Sequence, residues 1–303
     1  MKRIVQGPKI TWIDITKPTK EDINYLKEKY NFHQMVLDEL IPRAYYPRIE
    51  VNSDYLFIIV NYPVYHEINK EVSPKELDVL VTKDTIVTNH HRSISLLENL
   101  FQACQKPETG GETYLDKGPA FLLFSILDIF WRDCLVKLDE INTNLDKIKR
   151  EIFQEKEKDV VKEVLFIKTD IMDFWRIVEP QYEIMALLEK DGPKFFGEEY
   201  SLHFSDARGT YEKVWHTLKS HKETVLALED TNQSLLTTKT NEIIRILTVF
   251  SVIMLPLTLL ASIWGMNVNV PFGEQRAGFL FVVTVMICLM GLMFFYFRKK
   301  KWL

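Results

Sequence analysis

Residues 245–303 read RILTVFSVIMLPLTLLASIWGMNVNVPFGEQRAGFLFVVTVMICLMGLMFFYFRKKKWL, and this stretch decides the architecture. From Arg245 to Glu274 the chain runs 28 residues without a charge, and Ala277 to Phe297 gives another 21. Each run reaches the roughly 20 apolar residues that a helix needs to cross a bilayer. The segment between them contains Pro271 and Gly273, has turn composition and is too short for a domain. A helical hairpin is therefore expected, with a first span at 246–266, an outer loop at 267–276, a second span at 277–297 and a basic tail at 298–303. Arg245 precedes the first span, and Arg298, Lys299, Lys300 and Lys301 follow the second. Positive charge at both outer flanks places both ends in the cytosol, with the tail ringing the inner mouth of the hairpin.

Charge separates this hairpin from the rest of the chain. Of the 38 basic and 42 acidic residues, six and one lie in 243–303, so the first 242 residues carry −9 and the last 61 carry +5. An acidic body on a membrane anchor, with no basic block except at the C-terminus, lacks the electrostatic footprint of nucleic-acid binding. Cys104, Cys134 and Cys288 show no CxxC spacing, so neither a disulfide framework nor a thiolate zinc site is indicated, and a reducing compartment fits. MKRIVQGPKITW at the start has no apolar run of signal-peptide length behind it, so the body is expected in the cytosol.

The first span carries a polar pattern that an anchor does not need. Alternate steps of three and four residues visit Asp230, Ser234, Thr237, Asn241, Ile244, Thr248, Ser251, Leu255, Thr258, Ser262 and Gly265, of which eight have polar side chains. A heptad stripe of this kind faces a partner helix rather than lipid. Small hydroxyls also glue helices together, and one stripe cannot enclose a conduit alone. A transport role therefore requires a homo-oligomer with the stripes turned to a common axis. Between Glu198 and Trp264 proline occurs only at Pro256 and glycine only at Gly209, so one helix of about 100 Å is expected to form a stalk over 198–245 and continue into the span. Pro256 is tolerated within a span with a local kink.

The body reads as α+β: a small α/β sheet unit plus long helices. Lys9 to Ile15, Tyr55 to Tyr65, Leu77 to Thr82 and Thr85 to Asn89 are strand-like, the last two joined by a Lys83-Asp84 turn. A helix is expected to run to Tyr30 with Thr19 as its N-cap. The α/β domain is placed at 1–115. Two long antiparallel helices are expected at 116–197, from the three-and-four spacing of Leu and Ile between Ala120 and Glu189. No catalytic constellation emerges. Gly192-Pro-Lys-Phe-Phe-Gly197 is followed by Glu198 and lacks the lysine and hydroxyl of a phosphate-binding loop. His90-His91 is expected to be a solvated strand end rather than a metal site, and Asp38-Glu39 on a short helix is surface charge by default.

At the outer end of the first span stands Gly265-Met266-Asn267, where Gly265 is expected to stop the helix in a left-handed conformation and Asn267 to present an amide to an entering ion. This tripeptide between two C-terminal spans resembles the signature of the CorA family of divalent-cation (magnesium) transporters. The likeness extends over Thr11 to Ile15, Asn31 to Glu39, Pro47 to Glu50 with the strand after it, Lys239 to Glu242, Leu247-Thr248 and Leu255 to Thr258. It implies a homopentamer, a funnel-shaped cytosolic domain and electrogenic uptake without ATP. It further implies Gly265, Met266 and Asn267 as the outer selectivity site, Thr258, Leu255, Leu247 and Asn241 as pore-lining rings, and Asp230 as an acidic ring at the cytosolic end. Asp206 matches a carboxylate that binds a regulatory cation between subunits, and its partner position falls on Glu39, where better-known members have Asp. The family's common Met-Pro-Glu after the tripeptide is absent. Val270-Pro-Phe-Gly-Glu274 stands there, leaving Glu274 as the candidate ion-attracting residue.

Mg²⁺ strips its water reluctantly, so a ring of Asn267 oxygens accepting hydrogen bonds from the hydration shell suits it, with binding weak enough for release. Leu247 and Leu255 are placed to close the path by dewetting. The expected function is membrane-potential-driven uptake of Mg²⁺, with Co²⁺ and Ni²⁺ as further substrates and cytosolic Mg²⁺ as regulatory ligand, without enzymatic activity or a cofactor. The competing readings are a zinc transporter of the same architecture, whose signature usually changes the tripeptide, and a membrane-anchored scaffold or sensor.

Overall fold

A computed structural model describes residues 1–42, 46–66, 71–105, 112–153, 157–266, 276–300 and 302. Contacts divide the chain into two compact units, Met1–Glu229 and Asp230–Leu303.

The first unit is built on a mixed sheet of six strands in the order β1-β2-β6-β5-β4-β3. These are β1 (Lys2–Gln6), β2 (Thr11–Thr16), β3 (Arg48–Val51), β4 (Leu56–His66), β5 (Glu71–Val81) and β6 (Thr85–His90). β2 and β6 pair in parallel and the other neighbours are antiparallel. Side chains alternate between faces along a strand, and here both faces are covered. Trp12, Ile58, Val79 and Ile86 point into one core, while Ile13, Phe57, Leu80 and Val87 point into the other. The second face is closed by α1 (Lys20–Lys29) and α2 (Gln34–Glu39) through Ile23, Leu26, Val36 and Leu37. Thr19 caps α1 as expected, in a capping box with Asp22.

The first face is closed by α3 (Ser95–Gln105), α4 (Glu112–Asp116), α5 (Pro119–Phe153), α6 (Glu157–Val178), α7 (Tyr182–Phe196) and the first part of α8 (Ser201–Trp264). α5 and α6 form an antiparallel hairpin, in which Lys147 near the end of α5 meets Glu163 near the start of α6. The two helices expected over 116–197 become three, because the turn Glu179–Gln181 around Pro180 separates α6 from α7. Gln181, fully buried at this break, docks the helices to the sheet. Its side chain accepts from the Asn61 N–H (3.1 Å) and donates to the Asn61 carbonyl (2.7 Å) and the Ile177 carbonyl (2.8 Å). Asn61 lies just beyond the register of β3, so the glutamine amide satisfies strand groups that no neighbouring strand reaches.

His90 corrects the expectation of a solvated strand end. It is 0 % exposed and its Nε2 lies 3.2 Å from Asp14. Asp14 also accepts from Thr88 (2.7 Å) and Arg3 (2.5 Å), and Trp12 donates to Thr88 (3.0 Å). Burial alone would raise the Asp14 carboxyl, but the hydrogen bond and charge of His90, with hydrogen bonds from Arg3 and Thr88, hold it below the ordinary carboxylate range.

The second unit contains the remainder of α8 and α9 (Arg276–Lys299). Both contain stretches long and apolar enough to cross a membrane. Their surfaces are the inverse of the first unit's, with Leu255 69 % and Phe295 71 % exposed, while among the described hydrophobic residues Val249, Leu257 and Phe297 are buried. In water such an apolar surface is costly; lipid or further copies of the helices would cover it.

Candidate functional site

Every position of the stripe from Asp230 to Gly265 is exposed on α8. Four of its six hydroxyls share one orientation. Thr237, Thr248, Ser251 and Thr258 donate to the carbonyls four residues back, those of Gln233, Ile244, Leu247 and Met254, at 2.7 to 2.9 Å. A hydroxyl has one hydrogen and two lone pairs, so once the hydrogen is given to the helix only acceptor capacity remains for the exterior. Ser251, Leu255, Thr258 and Ser262, with Met254 and Leu259, line a shallow groove of about 450 Å³ along the helix. Such a surface offers neutral oxygens between apolar side chains, suited to a species that presents hydrogens, such as the water shell of a cation.

α8 ends at the expected tripeptide, but not by the expected geometry. The Gly265 N–H donates to the Ala261 carbonyl (3.0 Å), and the Met266 N–H to the Ile263 carbonyl (3.4 Å). Only Gly118 and Gly197 among the described glycines have positive φ, so Gly265 is not in a left-handed conformation. Glycine serves here by closeness: a Cβ would stand 3.2 Å from the Ala261 carbonyl oxygen. Asn267, Glu274 and Lys301 lie outside the described residues. Arg298, Lys299 and Lys300 are exposed at the end of α9, where the Trp302 ring stacks on Phe297 with centroids 5.8 Å apart.

Within the first unit, Glu39 and Asp206 share no contact. Among the described residues no group of three or more His, Cys, Asp or Glu is placed to hold a metal ion within one chain. Two carboxylates are nevertheless the hard oxygen donors that Mg²⁺ takes, so a site completed by a second copy is chemically compatible. Asp206 is exposed on α8, one turn before Thr210, whose hydroxyl contacts both the Asp206 carbonyl (3.1 Å) and Asp128 (3.2 Å). Asp128 pairs with Arg132 at 2.6 Å.

Glu39 has a cationic neighbour that the sequence pattern does not reveal. The Arg48 guanidinium on β3 pairs with it, and Arg48 Nε stands 3.2 Å from Glu50. Residues two apart on a strand share a face, a signal that pairs Arg48 with Glu50 but does not reach Glu39. Behind α2 lies a second residue not foreseen. Buried Asp78 accepts from the Asn89 amide (2.7 Å), which also donates to the Leu40 carbonyl at the end of α2 (3.0 Å). Burial pushes the Asp78 carboxyl up to about 8; Glu76 and Glu39 add to the rise, while the Asn89 hydrogen bond and Arg48 oppose it.

Comparison with known proteins places the whole chain. The family model described as CorA-like Mg²⁺ transporter protein matches residues 7–299. The cobalt/magnesium transport protein CorA of Thermotoga maritima is 26 % identical over 296 residues, covering 97 % of this chain and 83 % of that protein. The solved structure of the CorA magnesium transporter from Methanocaldococcus jannaschii superposes with a TM-score of 0.82 at 21 % identity, covering 97 % of this chain and 92 % of that one. The full-length CmaX protein gives 0.78 at 14 % identity, with 97 % and 90 % covered. At these identities the two structures establish the shared fold.

Proposed function

We propose, from the premise that this chain belongs to the CorA-like Mg²⁺ transporter family, that it carries Mg²⁺ inward along the stripe of α8. As a member of that family it is a divalent-cation transporter and not an enzyme. The finer reading is a homopentamer in which five copies of α8 turn Asp230, Thr237, Asn241, Leu247, Thr248, Ser251, Leu255, Thr258 and Ser262 toward a central path. Gly265, Met266 and Asn267 form its outer selectivity site, and both termini lie in the cytosol.

The observation that supports this most is the acceptor-only character of the Ser251 and Thr258 hydroxyls beside the 450 Å³ groove. A hydrated Mg²⁺ presents its water hydrogens outward, so neutral acceptors hold it without stripping the shell. Carboxylates in the same places would bind more tightly and slow release. Leu255 on the stripe and Leu247 beside it, both exposed, are the positions at which the path closes by dewetting. Inside-negative potential supplies the drive, about 4.6 kcal/mol per 100 mV for a divalent ion, twice the single-charge value. Co²⁺ and Ni²⁺ follow Mg²⁺ as substrates, Glu274 gathers cations at the outer loop, and Arg298 to Lys301 ring the inner mouth. Cytosolic Mg²⁺ held by Glu39 of one copy and Asp206 of the next favours the closed state, so its loss opens the path by differential binding.

Purified protein in liposomes, loaded with a Mg²⁺-sensitive dye and given an inside-negative potential, tests the reading. Mg²⁺ influx that grows with potential is expected. Preference for Zn²⁺ over Mg²⁺ in competition would select the zinc reading, and no flux of any divalent ion would select an anchored scaffold.

A further inference from the structure

Arg48 lies on the edge strand β3, and its guanidinium stands between two carboxylates, Glu39 at the end of α2 and Glu50 two residues further along the same face. The three side chains are 37 %, 37 % and 41 % exposed, so all are reachable from solvent. Arg48 and both its partners line one open recess of about 690 Å³. The recess also contains Asp54, and buried Asp78 lies close enough to feel both Glu39 and Arg48. One guanidinium therefore serves an acidic surround and occupies the carboxylate assigned to the regulatory ion.

We propose that Arg48 is a built-in competitor for the cytosolic divalent cation at Glu39 and sets the concentration at which that cation closes the transporter. The proposal rests on the reading of Glu39 as a cation ligand. A divalent ion reaches the Glu39 oxygens by displacing the guanidinium. Arg48 then keeps one ionic partner, because Glu50 stands 3.2 Å from its Nε, though without a hydrogen bond in this arrangement. The exchange is one cation for another on Glu39, with no buried charge abandoned. The apparent affinity for the ion scales with the fraction of Glu39 that Arg48 leaves free. The two partners of Arg48 consequently have opposite effects. Removing Arg48 frees Glu39, whereas removing Glu50 leaves Arg48 with Glu39 as its main partner. A pair that served only to fasten α2 to the sheet would give no such opposition.

The test uses full-length protein, with Arg48→Gln, Glu50→Gln, Glu39→Gln and the Arg48→Gln/Glu39→Gln double variant. Two readouts are taken against Mg²⁺ concentration: inhibition of flux by internal Mg²⁺, and protection of the soluble unit from limited proteolysis. Arg48→Gln is expected to move both midpoints to Mg²⁺ concentrations roughly two- to fivefold lower, the range of a partly exposed ion pair. Glu50→Gln is expected to move them higher, and in the double variant the effect of Arg48→Gln disappears. If Glu39→Gln shifts the midpoints while neither Arg48→Gln nor Glu50→Gln does, the competitor role is wrong and the Glu39 reading stands. Wild-type midpoints in Glu39→Gln overturn the Glu39 reading itself. Should Arg48→Gln fail to assemble, Glu50→Gln decides alone, an upward shift supporting competition and no shift or a downward one rejecting it.

Discussion

The two units of this protein place their polar residues in opposite ways. In the soluble unit the decisive polar groups are buried and paired within the chain, as with Asp14 among Arg3, Thr88 and His90, or Gln181 against Asn61. In the two-helix unit the polar groups of the stripe are exposed, and the hydroxyl hydrogens of Thr248, Ser251 and Thr258 are spent on their own helix, leaving oxygens to accept from outside. The first arrangement is complete within one chain. The second leaves an apolar surface and a polar stripe uncovered within one chain, and the proposed assembly would put lipid on one side and further copies of the stripe on the other.

The comparison predicts that mutation can separate transport from folding, and it breaks most visibly if the two are lost together. Asn267→Ala is expected to abolish Mg²⁺ flux while the oligomer still assembles and the thermal midpoint stays at the wild-type value; normal flux would remove the outer selectivity assignment. Asp14→Ala should do the reverse. It strips a buried network of its carboxylate, and a cost of about 3–5 kcal/mol is expected for an uncompensated buried partner, read as a lower midpoint of thermal unfolding. A midpoint within a degree of wild type would mean that Arg3 and His90 do not depend on Asp14.

A third prediction concerns pH. Folded Asp78 keeps its proton up to about 8, whereas the unfolded carboxyl releases it near 3.8. Between these values the folded state binds the extra proton, so stability falls as pH rises, by at most about 1.4 kcal/mol per pH unit. Asp78→Asn, neutral at every pH, should flatten the fall and melt higher than wild type at pH 8. Equal slopes would place the charge of Asp78 outside the balance. The smallest effect is expected from Thr258→Val, which keeps shape and removes one acceptor. Flux should drop about three- to tenfold, equivalent to roughly one hydrogen bond, with assembly unchanged. Faster flux would show that the hydroxyl hinders passage.

Legibility in the sequence follows the same division. The spans could be read directly, because lipid demands about 20 apolar residues in a row and a soluble core seldom contains such a run. The stripe was legible for the same reason, as polar residues in an apolar setting mark a period. In the soluble unit, strands with a buried face were readable, but edge strands were not. β1 (KRIVQ) and β3 (RIEV) are short and only half-buried, and little alternation distinguishes them from loop. β5 begins at Glu71, earlier than Leu77, because Pro74 interrupts the pattern and sits opposite Pro63, where neither can donate to the ladder. The burial of His90 is not legible locally, because its partner Asp14 lies 76 residues away and local composition says nothing of it. The Arg48–Glu39 pair spans only nine residues, but it joins a helix to a strand and so follows neither the helical nor the strand period.

The central claim is that the hydroxyl stripe of α8, and not merely some face of the hairpin, lines a water-filled path. Single cysteines at Ser251, Thr258 and Ser262, and for contrast at Phe250 and Val252, introduced into a background with the exposed Cys288 replaced by Ser, test it most directly. A small cationic thiol reagent applied during flux should block transport at the three stripe positions and leave the other two unaffected. Block at Phe250 and Val252 with none at Ser251, Thr258 and Ser262 would contradict the account.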